Sequence, residues 1–166
     1  PDPASITAAM MGGILSNNSS GMCCCVKYNS YHTVASVHFI LPNGNEYNTA
    51  REEDYIRFTK DDTRIADRIV QLRNEVLNNE ALVQKIRTKY KIKNTVGYSI
   101  NAFIDYEHPL DILAHLLIGG EGTLAFIAEA VLNTIPDKRY KTTGLLFFES
   151  PSVAAENIPL LKSTNA

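Results

Sequence analysis

The chain has 166 residues, 45% of them hydrophobic, with sixteen basic and eighteen acidic side chains and a net charge of −2. That is enough chain for a domain with a buried core, and the near-even charge gives no electrostatic footing for nucleic acid or an anionic membrane. The longest apolar run falls well short of the about 20 residues that span a bilayer. The opening PDPASITAAMM has neither a methionine nor a basic leader, so no signal peptide is expected and the natural start is expected to lie elsewhere.

In chain order, residues 1–11 turn from a proline-flanked aspartate to small apolar residues. They predict a short helix capped by Asp2 or Ser5 and ended by Gly12–Gly13. Ser16 to Gly21 is a run of Ser, Asn and Gly, whose side chains compete with regular structure by bonding local backbone. It reads as a surface loop or as the polar rim of a ligand site. Cys23, Cys24 and Cys25 are consecutive, so their side chains diverge instead of converging as zinc ligands do, and three thiols make a poor disulfide framework. No metal site is expected, and the thiols point to a reducing compartment, the cytoplasm.

YHTVASVHFIL at 31–41, the turn PNGN at 42–45 and EYNT at 46–49 predict a β-hairpin, with His38 half-buried in its first strand. Thr59 and Asp62 have the spacing of a capping box. Ile65, Ile69, Leu72 and Val76 then follow at helical spacing up to Asn78–Asn79. A second helix over 80–89 is expected to bury Leu82, Val83 and Ile86. Lys85, Arg87, Lys89, Lys91 and Lys93 read as a solvated face in preference to a phosphate or partner site, since acidic residues upstream balance them.

Pro109 suits a first helical turn, and Leu110, Leu113, Leu116 and Leu117 form an apolar face behind it. His108 and His115 are seven apart, about 10 Å along a helix, too far to share a metal ion. Gly119–Gly120 should end this helix. Glu121, Gly122 and Thr123 then make a bare turn, and Leu124 to Ile135 reads as a strand. On glycine count the stretch reads as a plain helix–turn–strand corner in preference to a backbone approached closely by a planar or phosphorylated ligand. Beyond Pro136, residues 142–149 read as a strand and 151–163 as a helix. The class is α+β, a largely antiparallel sheet flanked by helices, without a regular βαβ rhythm.

Three stretches taken together carry a resemblance: PDPAS…GGILSNNSSG at 1–21, HFILPNGNEYNT at 38–49 and GGEGTLAFIAEAVLNTIP at 119–136. In this order they resemble the FAD-binding domain of the vanillyl-alcohol oxidase and p-cresol methylhydroxylase (PCMH) type of flavoprotein. RTKYKIKNTVGYSINAFIDYEHPLDILAHLLIGGEGTLAFI is similar to one subgroup, the large FAD-linked D-lactate and D-2-hydroxyglutarate type dehydrogenases with a C-terminal iron–sulfur domain. The resemblance implies that 1–141 is the second portion of the FAD-binding domain, with a charged helical insertion at 51–96. Residues 142–166 would begin the cap over the substrate.

The same resemblance implies roles for particular positions. Pro1, Asp2, Pro3, Ala4, Ser5 and Ile6 would pass beside the flavin. Gly13, Ser16, Asn17, Asn18, Ser19 and Gly21 would lie along its ribityl chain and ring. Glu121, Gly122, Thr123, Leu124, Phe126 and Ile127 would supply backbone to it. Glycine allows close main-chain approach, and Ser and Asn can donate to ring carbonyls and nitrogens. Relatives usually have Ser where Gly120 stands, Gly where Ala125 stands and Gly where Cys25 stands.

The implied activity is oxidation of a small 2-hydroxy acid, with hydride passing from its α-carbon to flavin N5 and electrons onward to iron–sulfur clusters. The family's pyrophosphate-binding loop, the rest of its cap and its iron–sulfur module find no match in these residues. The expected partners are therefore the rest of a parent chain, or a second copy covering the open face, and FAD is expected to be held weakly or not at all by this stretch alone. No catalytic residue is assigned. The alternatives are an interaction module built on the helices of 51–93, and a phosphate binder at Gly119–Gly122, which lacks the following lysine of a P-loop.

Overall fold

The computed structural model describes residues 3–21, 24–136, 139–140 and 142–164; Pro1, Asp2 and Cys23 lie outside these. The backbone divides into two compact units, 1–134 and 135–166.

The first unit is built around a nearly all-apolar helix and a small sheet. Helix α1 spans Met11–Asn17, followed by α2 (Ser30–Thr33), β1 (Val34–Ile40), β2 (Glu46–Asn48), α3 (Glu52–Asp61), α4 (Thr63–Leu77), α5 (Glu80–Lys89), α6 (Ala102–Asp105), α7 (Pro109–Leu117) and β3 (Phe126–Leu132). The class is α+β. The three strands run antiparallel in the order β2-β1-β3. The expected hairpin pairs Phe39 with Tyr47, and β3 joins the other edge of β1, pairing Ile40 with Phe126 and His38 with Glu129.

Val37, Phe39 and Tyr47 point from the sheet into the core, where they meet Phe58 of α3, Ala66 and Ile69 of α4, and α7. Helix α7 buries Leu110, Ile112, Leu113, Ala114, Leu116 and Leu117, so it is central and not merely one-faced. Helices α4 and α5 lay Ile69, Val83 and Ile86 inward, with Leu82 half-buried. Their charges are the outer faces of packed helices.

Four expectations are corrected. The first helix does not lie over residues 3–10: residues 4–8 form turns, α1 starts at Met11, and Gly12 and Gly13 lie inside it. Ile14 and Leu15 give α1 something to bury, which residues 3–9 lack. Asn18 is its stop, left-handed at φ 51, with its N–H shared between Ile14 O and Leu15 O; asparagine takes this conformation at little cost. Ser16 and Asn17 therefore belong to the helix and not to the loop. Second, the hairpin's opening residues 31–33 are helical, because the Asn29 side chain caps α2 by accepting the His32 N–H at 3.0 Å.

Third, Thr59 caps nothing. It sits inside α3, its hydroxyl donating to Ile56 O at 2.9 Å. Asp62 turns instead to the hairpin, accepting from Asn43 Nδ2 at 2.7 Å, Asn45 Nδ2 at 2.8 Å and Tyr47 Oη at 2.6 Å.

Fourth, residues 142–149 of the second unit form no strand. Leu145 and Phe147 are 80% and 86% exposed, and β-prone residues without a paired neighbour do not make a sheet. In that unit α8 (Pro151–Ser163) is present as expected, with Pro151 in its first turn and the Ser150 hydroxyl accepting the Val153 N–H.

Candidate functional site

The turn after α7 hangs from the end of α1. Gly119, at φ 92, donates its N–H to Leu15 O at 3.1 Å, and Glu121 donates its N–H to Ser16 O at 2.9 Å. Two segments about a hundred residues apart in sequence are thereby held edge to edge. Their side chains continue the link. Asn17 Nδ2 donates to Glu121 Oε1 at 2.6 Å, and Ser19 Oγ donates to Asn17 Oδ1 at 2.8 Å. Glu121 itself is left-handed, φ 51, a conformation an L side chain accepts only when its surroundings hold it there.

Within the turn, Gly122 has φ +72 with open space where a Cβ would stand, whereas a Cβ on Gly120 would lie 2.8 Å from Leu116 O. Thr123 closes the turn, its N–H and its Oγ1 both donating to Gly120 O, at 3.0 and 2.6 Å. Glu121, Gly122 and Thr123 are all exposed; with the Glu121 and Thr123 N–H groups already donated, Gly122 is the part of the turn left open to a ligand. Asn18 faces the other way. It is buried, its Oδ1 accepting the Tyr31 N–H at 3.1 Å. Ser20 is also buried, and its hydroxyl has no hydrogen-bond partner among the described residues.

The remaining expected positions divide. Leu124 and Ile127 pack against the hydrophobic core, while Phe126 is 69% exposed. Gly13 lies in α1 with nothing near its missing Cβ, and Gly21 follows Ser20 half-buried. Hydrogen bonds from Pro3 to Ile6 stay local, Ile6 N–H to Pro3 O at 2.9 Å and Ala8 N–H to Ser5 O at 2.8 Å. Pro1 and Asp2 lie outside the described residues.

Sequence reasoning missed the stretch 93–99 as part of the site. Lys93 Nζ donates to Ser20 O at 2.6 Å, and Tyr98 Oη lies 2.8 Å from Thr123 Oγ1. Lys93 was grouped with the basic residues of α5 because charge clustering hides what a single lysine reaches. Arg87 and Lys91 line a cavity of about 290 Å³ beside α5, and Asp105 shares it; that carboxylate offsets the charge an anion would seek.

Residues 1–50 match the family model described as an FAD binding domain. The match places part of an FAD-binding domain in these first 50 residues. It supports FAD as the cofactor of the parent protein. The matched residues include α1, the loop after it and the hairpin; the 119–123 turn lies beyond them but is hydrogen-bonded to them. The chain is also similar to the D-2-hydroxyglutarate dehydrogenase of Haemophilus influenzae, 23% identical over 178 residues, covering 100% of this chain and 17% of that protein. No solved structure matches the chain.

The residues fit FAD. The exposed turn at Gly122, the hydroxyl oxygen of Ser19 and the second amide hydrogen of Asn17 are polar groups of the kind that ring nitrogens, ring carbonyls and ribityl hydroxyls bond. Among the described residues no cluster of His, Cys, Asp or Glu could hold a metal ion, and no helix is long and apolar enough to cross a membrane.

Proposed function

We propose that the chain is the ring end of the FAD-binding domain in a longer FAD-dependent oxidoreductase that acts on a small 2-hydroxy acid such as D-2-hydroxyglutarate or D-lactate. The observation that carries this reading is the joining of the α1 loop to the 119–123 turn through the Ser16–Glu121 and Asn17–Glu121 hydrogen bonds. It aligns the two segments that the resemblance assigns to the flavin. The full-chain similarity to a D-2-hydroxyglutarate dehydrogenase supports the substrate class.

Bound FAD supplies the acceptor for the hydride that leaves the substrate's α-carbon. This chain's residues would hold and orient the ring: backbone at Gly122 would approach it, and the Asn17 amide and the Ser19 hydroxyl oxygen would bond its polar rim. The substrate-binding groups and the iron–sulfur relay belong to other parts of the parent, which are this chain's partners, and the consecutive cysteines favour a cytoplasmic setting. The charged sides of α4 and α5 are outer faces of core helices, which weakens the reading as an interaction module.

The test is anaerobic spectroscopy of the purified full-length protein. A flavin absorption band that bleaches on addition of D-2-hydroxyglutarate or D-lactate is expected. A protein that releases no FAD on denaturation would overturn the assignment; a flavin that neither acid bleaches would overturn the substrate class.

A further inference from the structure

The stretch 93–99, KNTVGYS, has no regular secondary structure, yet it touches both flavin loops. At its start Lys93 Nζ donates to Ser20 O at 2.6 Å, and Asn94 O accepts from Asn18 Nδ2 at 3.4 Å. At its end Ser99 Oγ donates to Ile118 O at 2.7 Å. Between them Gly97 turns at φ +74, with its carbonyl oxygen 3.4 Å from where a Cβ on Gly119 would stand. Because Thr123 Oγ1 spends its one hydrogen on Gly120 O, the hydroxyl of Tyr98 is the donor in the Tyr98–Thr123 bond.

The strap is itself anchored. Tyr90, at the end of α5, donates its hydroxyl to Tyr98 O at 2.9 Å and accepts the Ile100 N–H at 3.2 Å. Lys93 has no carboxylate partner among the described residues, so its ammonium is committed to the Ser20 carbonyl, a charge-assisted bond.

We propose that this strap sets the spacing of the two flavin loops, with Lys93 and Tyr98 as positioning residues for FAD. The inference rests on the reading above. Loops fixed in advance lose less freedom on binding than loops the ligand must order, so the strap's contribution is read as affinity for FAD.

The experiment uses the full-length protein, stripped of flavin and titrated with FAD, as wild type, Lys93→Met, Lys93→Arg and Tyr98→Phe, with melting of each flavin-free form recorded. Lys93→Met and Tyr98→Phe are expected to weaken FAD binding about tenfold, while Lys93→Arg, which still donates, stays near wild type. Tyr98→Phe removes a single oxygen, so it reports even where Lys93→Met fails to fold. Wild-type affinity in Tyr98→Phe would overturn the inference. So would a loss in Lys93→Met that Lys93→Arg does not rescue, or losses matched by equal falls in melting temperature. A wild-type protein that binds no FAD would overturn the functional reading itself.

Discussion

Gly120 and Gly122 stand two positions apart and are needed for different reasons. Gly120 is tight: a Cβ there meets the Leu116 carbonyl at 2.8 Å, so the serine expected from relatives would push the end of α7 aside. Gly122 is open but left-handed at φ +72, which costs an L residue about 1–2 kcal/mol and a β-branched one more. In the full-length protein Gly122→Val should abolish flavin retention while Gly122→Asn, tolerant of that conformation, keeps it. FAD per chain, read from the visible spectrum, checks both.

Asp62 shows what residue-level reading misses. Its spacing from Thr59 suggested a cap, but its donors lie 15 to 19 residues back in the hairpin, and a local pattern has no access to them. Burial alone would raise its pKa; the bonds from Tyr47, Asn45 and Asn43 outweigh that and hold it below the usual carboxylate value. The folded state thus binds a proton less readily than the unfolded chain. The stability Asp62 contributes is full above the unfolded value, about 3.9, and is lost as pH falls through the folded one. Asp62→Asn should cost about 2 kcal/mol near neutral pH. In urea unfolding, the gap between wild type and variant should stay constant above about pH 5 and shrink below about pH 4.

At the scale of elements, what was periodic was readable. The hairpin, α4, α5 and α7 follow directly from alternating or helical spacing, with Pro109 marking a helix start and Asn78–Asn79 a helix end. Boundaries failed where capping decided them: Asn29 turned 31–33 helical, and Asn18 replaced the glycines as the stop of α1. Residues 142–149 failed for another reason, since a strand needs a neighbour and β-propensity does not report one. Two substitutions separate these cases. Phe39 is fully buried against Tyr47, ring centroids 6.1 Å apart, and Phe39→Ala should cost about 3–5 kcal/mol. Phe147 is 86% exposed, and Phe147→Ser should change stability by less than about 0.5 kcal/mol. Chemical denaturation measures both.

On the scale of the whole molecule, the hydrogen bonds that join the candidate loops were not readable from the sequence. The resemblance picked out the loop after α1 and the turn after α7 as candidates, because the first is dense in Ser and Asn and the second in Gly. It did not find the strap between them, whose role depends on where Lys93 and Tyr98 reach in space. The chain spans 17% of the length of the dehydrogenase it resembles, and the central claim is that these 166 residues hold the ring end of FAD without enough of the site to keep it. If the phosphates find no backbone cradle in this stretch they stay in water, and a deficit of about 4 kcal/mol weakens binding about a thousandfold. Titration of FAD into this stretch, purified alone and shown folded by circular dichroism, tests that claim most directly. Weak binding, well above micromolar, is predicted; a yellow protein with stoichiometric flavin, or submicromolar affinity, would contradict it.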